Sequence, residues 1–127
     1  IIIFIILYYL FENFYIRKKI YYIIIYMKRL KGKCLCGSVN YSVSNFIETE
    51  DCNCKKCKKT SGAESIKWFS TSRDTFILNS KKGAYKQYKS SKWAKRGFCS
   101  KCGSNLTMDY GKKSQPDIIW LTTLTLN

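Results

Sequence analysis

Histidine is absent from this chain of 127 residues. That removes the most frequent acid–base side chain and the imidazole half of mixed cysteine–histidine metal sites. Acidic residues are few, 8 against 23 lysines and arginines, for a net charge of +15. There is one proline, Pro116, just ahead of a strand-like run near the C-terminus. No internal repeat is present. No apolar run reaches the roughly 18 residues that a membrane helix needs. The run IIIFIILYYLF stops at Glu12, and Arg17-Lys18-Lys19 separates it from IYYIIIYM. No basic segment precedes the first run and no small-residue cleavage site follows, an order unlike that expected of a secretory signal.

What is there instead is cysteine, seven of them, none outside three clusters. Cys34-Leu35-Cys36-Gly37 opens the pattern, Cys52-Asn53-Cys54-Lys55-Lys56-Cys57 occupies the middle, and Cys99-Ser100-Lys101-Cys102-Gly103 closes it. Thiols two or three residues apart can converge on one ion, and a soft thiolate set favours zinc. Disulfides fit poorly: the count is odd and Cys-x-Cys pairs bridge each other badly. Clustered thiols point to a reducing, cytoplasmic setting. Cys34 and Cys36 are expected on an extended segment with both thiols on one side. Cys99 and Cys102 form a knuckle. The two pairs together make a closed four-thiolate site that clamps the first expected strand to the fifth. The trio Cys52, Cys54 and Cys57 leaves a coordination position open to water or a substrate thiol. A closed alternative would draw a carboxylate, Asp51 or Glu64, as fourth ligand. Three thiolates on Zn²⁺ carry net negative charge, which Lys55, Lys56, Lys58 and Lys59 would offset.

The length fits one domain. Residues 1–26 differ from the rest and read as an apolar N-terminal extension, wrongly assigned upstream of a start at Met27, with a partial membrane anchor as the alternative. From Lys28 onward the pattern is β-like. Short runs at 39–43, 65–69, 75–78, 84–88, 105–108 and 118–122 are rich in aromatic and branched residues. They are bounded by Gly, Ser, Asn or Asp. A single helical turn is expected around Lys58 to Ala63. Six short strands make a small core, to which metal staples would contribute stability. The basic excess suits an anionic ligand or nucleic acid. Equally, it suits a solvated lysine-rich surface produced by an AT-rich coding sequence, since Ile, Tyr, Asn, Lys and Phe are abundant together.

The ordered set Gly32-Lys33-Cys34-Leu35-Cys36-Gly37-Ser38-Val39, the cysteine trio, Ser61-Gly62-Ala63, Tyr88-Lys89-Ser90-Ser91 and Arg96-Gly97-Phe98-Cys99-Ser100-Lys101-Cys102-Gly103-Ser104-Asn105-Leu106 resembles the glutathione-dependent formaldehyde-activating family, which also includes centromere-protein-V-like proteins. The resemblance runs from about Lys31 to the C-terminus. It implies an Mss4-like fold, mainly β, of small antiparallel sheets stapled by two zinc ions. Cys34, Cys36, Cys99 and Cys102 would hold the structural zinc. Cys52, Cys54 and Cys57 would hold the reactive one. The implied activity is that of a carbon–sulfur lyase, joining a thiol such as glutathione to an aldehyde such as formaldehyde, or the reverse. Two departures stand out. Asn53 occupies a position where the family commonly has histidine. The chain also ends at Leu124-Thr125-Leu126-Asn127, where relatives continue and where part of a substrate pocket would otherwise be supplied. The competing class is a non-enzymatic zinc module contacting nucleic acid, chromatin or protein, using the positive charge and the aromatic residues. Against it, the lysines are spread along the chain.

Overall fold

The computed structural model describes the backbone of residues 1–127 and all side chains except those of residues 6–12 and 24–27. Nine strands follow the N-terminal helix α1 (Ile2–Met27): β1 (Leu30–Lys33), β2 (Val39–Val43), β3 (Thr49–Cys52), β4 (Ile66–Ser72), β5 (Ile77–Ser80), β6 (Tyr85–Lys89), β7 (Lys95–Cys99), β8 (Asn105–Asp109) and β9 (Ile118–Thr122). Two short helices interrupt them, α2 (Lys55–Ser61) and α3 (Gly111–Ser114). All strand pairs are antiparallel. One sheet has the order β1-β2-β5 and the other β3-β4-β9-β8-β7-β6. Among the described residues no helix is long and apolar enough to cross a membrane.

The six expected strands are all present, four of them with shifted ends. The run at 39–43 matches β2 without change, and that at 118–122 matches β9. The run at 75–78 begins too early, because Arg73–Thr75 forms a 3-10 turn before β5. Strands β1, β3 and β7 lie outside the expected runs. Their sequences, LKGK, TEDC and KRGFC, carry no apolar alternation. They are strands because neighbours supply ladder partners, as when Thr49–Cys52 pairs with Phe69–Ile66 of β4. The expected helical turn is α2, which starts three residues earlier, at Lys55.

Two apolar clusters lie on opposite faces of the larger sheet. The first packs Val39, Tyr41 and Val43 of β2 against Phe69, Leu106, Ile119 and Leu121. The second gathers Cys57, Ile66, Trp68, Ala94, Met108 and Trp120. Alternation along β4 and β9 explains the division, since Trp68 and Phe69, or Trp120 and Leu121, point to opposite faces. On β8 the alternation is broken. Gly97 faces Thr107 while Phe98 faces Asn105, so Leu106 is an extra residue in the ladder. This bulge sends Leu106 into the first cluster and Met108 into the second.

Candidate metal centres and the adjoining cavity

The two cysteine pairs meet. Cys34, Cys36, Cys99 and Cys102 bring their sulfurs within 4.8 Å of one another. Cys36 Sγ is 3.6 Å from Cys34 Sγ and 3.8 Å from Cys99 Sγ. A tetrahedral four-thiolate zinc with ordinary Zn–S bonds needs sulfurs roughly 3.8 Å apart, so the donor set fits that ion. Cys34 and Cys36 do not lie on an extended segment as the i, i+2 spacing suggested. They sit in a turn after β1, with the Gly37 amide donating to the Cys34 carbonyl at 3.1 Å. Cys99 ends β7, and the Gly103 amide donates to its carbonyl at 2.8 Å. Gly37 and Gly103 have φ of 76° and 78°, a left-handed region in which a side chain is strained. The knuckles therefore join the β1–β2 turn of one sheet to the β7–β8 turn of the other, at the entries to β2 and β8, which are the first and fifth of the expected strands. Ser104 Oγ accepts from the Leu35 amide at 2.9 Å and lies 3.2 Å from Cys102 Sγ. Those contacts, the Ser104 hydroxyl first, hold the Cys102 thiol down to about 5, whereas burial pushes Cys99 up to about 11.

The trio converges separately. Cys52 closes β3, Cys54 is the N-cap of α2, and Cys57 lies in its first turn. Their three sulfurs lie within 4.8 Å of one another. The Cys57 amide donates to Cys54 Sγ at 3.4 Å, which places a thiol acceptor where a serine or aspartate would ordinarily cap. That backbone bond, together with the Cys52 side chain, lowers the Cys54 thiol to about 7. Cys52 also receives a favourable Cys54 backbone contact, but burial and the neighbouring thiols prevail and push it up to about 11. No carboxylate joins the three sulfurs among the described residues. Asp51 lies 3.8 Å from Lys67 Nζ, and Glu64 3.4 Å from Lys58 Nζ with its side chain 99% exposed. The three-thiolate set fits zinc with a fourth position left for an outside ligand.

Arg96 belongs to the motif at 96–106, and the motif by itself gives it no role at the site. It is 8% exposed on β7. Its Nη1 and Nη2 point at Cys57 Sγ from 3.5 and 3.6 Å, and Nη1 also donates to Thr60 Oγ1 at 3.4 Å. Arg96 and Cys57 are 39 positions apart, so only the strand arrangement brings them together. The guanidinium supplies positive charge beside a buried sulfur. The lysines around the trio, by contrast, lie mostly in solvent.

A cavity of about 150 Å³ opens beside the trio. The three cysteines and Arg96 form one wall, and Trp68, Met108 and Trp120 form the apolar floor. Glu50, Tyr110 and Gln115 supply polar edges. Gln115 Oε1 accepts from Trp120 Nε1 at 2.9 Å, fixing that ring. Tyr110 follows Asp109, whose carboxylate takes 2.7 and 2.9 Å bonds from Arg73 and another from the Gly111 amide. Burial first, then the Cys52 and Cys57 sulfurs, push the Tyr110 phenol above its ordinary range. Glu50 and Tyr110 carried no sequence signal, being single residues in unremarkable contexts.

No curated protein matches the sequence significantly. Among solved structures, the chain is similar to a Rhodobacter sphaeroides protein from the Northeast Structural Genomics effort, at 22% identity and a TM-score of 0.62, covering 76% of this chain and 87% of that one. That likeness is one of fold. The model of the glutathione-dependent formaldehyde-activating enzymes matches residues 29–127. That match spans all seven cysteines, and the chain belongs to the glutathione-dependent formaldehyde-activating enzyme family.

Proposed function

We propose that the cavity beside Cys52, Cys54 and Cys57 joins a small thiol of the glutathione kind to an aldehyde, or cleaves the adduct, with the other four cysteines holding a structural zinc. The observation carrying this reading is the contrast between the two sulfur sets. Four sulfurs converge as a complete donor set, whereas three line a cavity. When bound by the trio, zinc supplies a site that holds a thiol as thiolate and polarises a carbonyl.

The chain's own residues divide the remaining work. Arg96 offsets the charge of the buried Cys57 sulfur. Glu50, on β3 at the cavity edge, accepts the proton that leaves the thiol. Tyr110 keeps its hydroxyl hydrogen at neutral pH and donates to the carbonyl oxygen as charge develops there. In the balanced step the thiol sulfur bonds to the carbonyl carbon and the carbonyl π pair moves to oxygen. That oxygen ends with a proton equivalent to the one the thiol lost. The apolar floor of the cavity limits water access around these groups.

The test is formaldehyde-dependent consumption of glutathione thiol by the zinc-loaded protein and by Cys54→Ser. Wild type is expected to accelerate the loss of free thiol, and Cys54→Ser to reduce it to background while keeping the native circular dichroism. Equal rates in the two proteins would refute the assignment of the trio to the chemistry.

A further inference from the structure

The cavity beside the trio is larger than formaldehyde requires, and part of its lining is apolar. Formaldehyde has two heavy atoms and no apolar group to place. The cavity measures about 150 Å³, and an apolar protein cavity of about that volume accommodates benzene. Its floor consists of Trp68, Met108 and Trp120, which are 5%, 4% and 8% exposed. Their positions are held firmly. Trp120 donates to Gln115, Met108 is placed by the β8 bulge opposite Trp120, and Trp68 is in a central ladder between β3 and β9.

Glutathione does not explain this space. A tripeptide with two carboxylates and an ammonium is far bigger than a benzene-sized cavity, and its charges are costly against a tryptophan–methionine floor. The thiol end alone reaches the sulfurs, leaving the floor to the other reactant. Flat indole faces and a polarisable thioether are good partners for an aromatic ring.

Building on the thiol–aldehyde reading, we propose that the carbonyl substrate of this chain is an aryl aldehyde, whose ring occupies the space between Trp68, Met108 and Trp120 while its carbonyl carbon faces the trio. The reaction is addition without oxidation or reduction. The thiol S–H bond and the carbonyl π bond break, a C–S bond forms, and the proton ends on oxygen, giving an aryl hemithioacetal.

Two measurements on the full zinc-loaded chain test this. The first titrates benzyl alcohol, an unreactive analogue, and follows the three indole N–H signals by ¹⁵N–¹H correlation. Trp68 and Trp120 are expected to shift and saturate. Trp93, 62% exposed and not part of this cavity, serves as the internal control and should stay in place. The second compares kcat/KM for benzaldehyde and formaldehyde with glutathione as thiol. Benzaldehyde is expected to exceed formaldehyde by roughly tenfold or more, the scale on which a filled apolar pocket discriminates. Met108→Phe, which reduces the space, should lower the benzaldehyde-to-formaldehyde ratio.

Indole shifts absent at Trp68 and Trp120, or equal at all three tryptophans, overturn the aryl site whatever the rates are. Formaldehyde turnover with benzaldehyde slower overturns it too, and leaves the thiol–aldehyde reading standing. Saturable shifts at Trp68 and Trp120 with neither aldehyde consuming thiol uphold the aryl site and overturn the reaction assigned to it.

Discussion

Replacing Arg96 by methionine probes the link between the buried guanidinium and the trio. Methionine keeps much of the side-chain volume and removes the charge and both contacts to Cys57 Sγ. Removing one partner of a buried ion pair costs about 3–5 kcal/mol. One term reduces that loss. The two contacts are long for a charged pair, at 3.5 and 3.6 Å, and the site opens on the cavity, so the interaction is weaker than in a fully buried pair. The net is about 2 kcal/mol, equivalent to about thirtyfold in affinity. It falls on the zinc-bound state, because Cys57 carries its full thiolate charge there. Competition with a chromogenic chelator should therefore show one zinc held about thirtyfold more weakly in Arg96→Met and the other unchanged. The thermal midpoint of the doubly loaded protein should fall by several degrees, because the loaded state loses that free energy, while the four-cysteine staple keeps the domain folded. Arg96→Lys should fall between, keeping the charge without the two-pronged contact. Loss of both zincs together, or unchanged affinity at both, would refute the argument that Arg96 acts on Cys57.

Cys34→Ala or Cys102→Ala should abolish the folded state, as structural zinc sites contribute about 10–16 kcal/mol in small domains. Far-ultraviolet circular dichroism and calorimetry report it, and a native transition in both variants would contradict the staple. Gly97→Ala should destabilise by about 1–3 kcal/mol, because a β-carbon there would collide with the Tyr85 and Thr107 hydroxyls that bond across it at 2.7 Å. Denaturant midpoints measure this, and an unchanged midpoint would disprove the close approach. Asp109 should make stability acid-sensitive. Arg73 first, then the Gly111 amide, hold its carboxyl below 3.8 despite partial burial. A depressed carboxylate pKa stabilises the fold above the unfolded value, and that contribution disappears as pH falls through the folded one. The stability gap between wild type and Asp109→Asn, about 1–3 kcal/mol at neutral pH, should therefore hold down to about pH 4 and close below it. Zinc release acts on both proteins alike, so a gap independent of pH would refute the assignment.

The cysteine grouping was legible in the sequence because it is local. A spacing of one or two residues, followed by Gly37 or Gly103, admits few backbone paths, and those paths turn the thiols together. The apolar strands β2, β4 and β9 were legible for a related reason: branched and aromatic residues at their positions favour pleated, half-buried surfaces. Strands β1, β3 and β7 were not, since polar segments become strands only when a neighbour offers hydrogen bonds. Which sheets the two knuckles join, and that Cys34 and Cys36 lie in a turn, followed from the same long-range pairing. The cavity belongs wholly to the tertiary structure. Glu50, Trp68, Arg96, Met108, Tyr110 and Trp120 come from five different strands and one loop, and one inserted residue in β8 decides that Met108 faces the cavity. A one-residue change of register reverses every side chain beyond it. Spacing along the chain therefore determined which atoms can bind metal, while the sheet ladder decided what stands beside them.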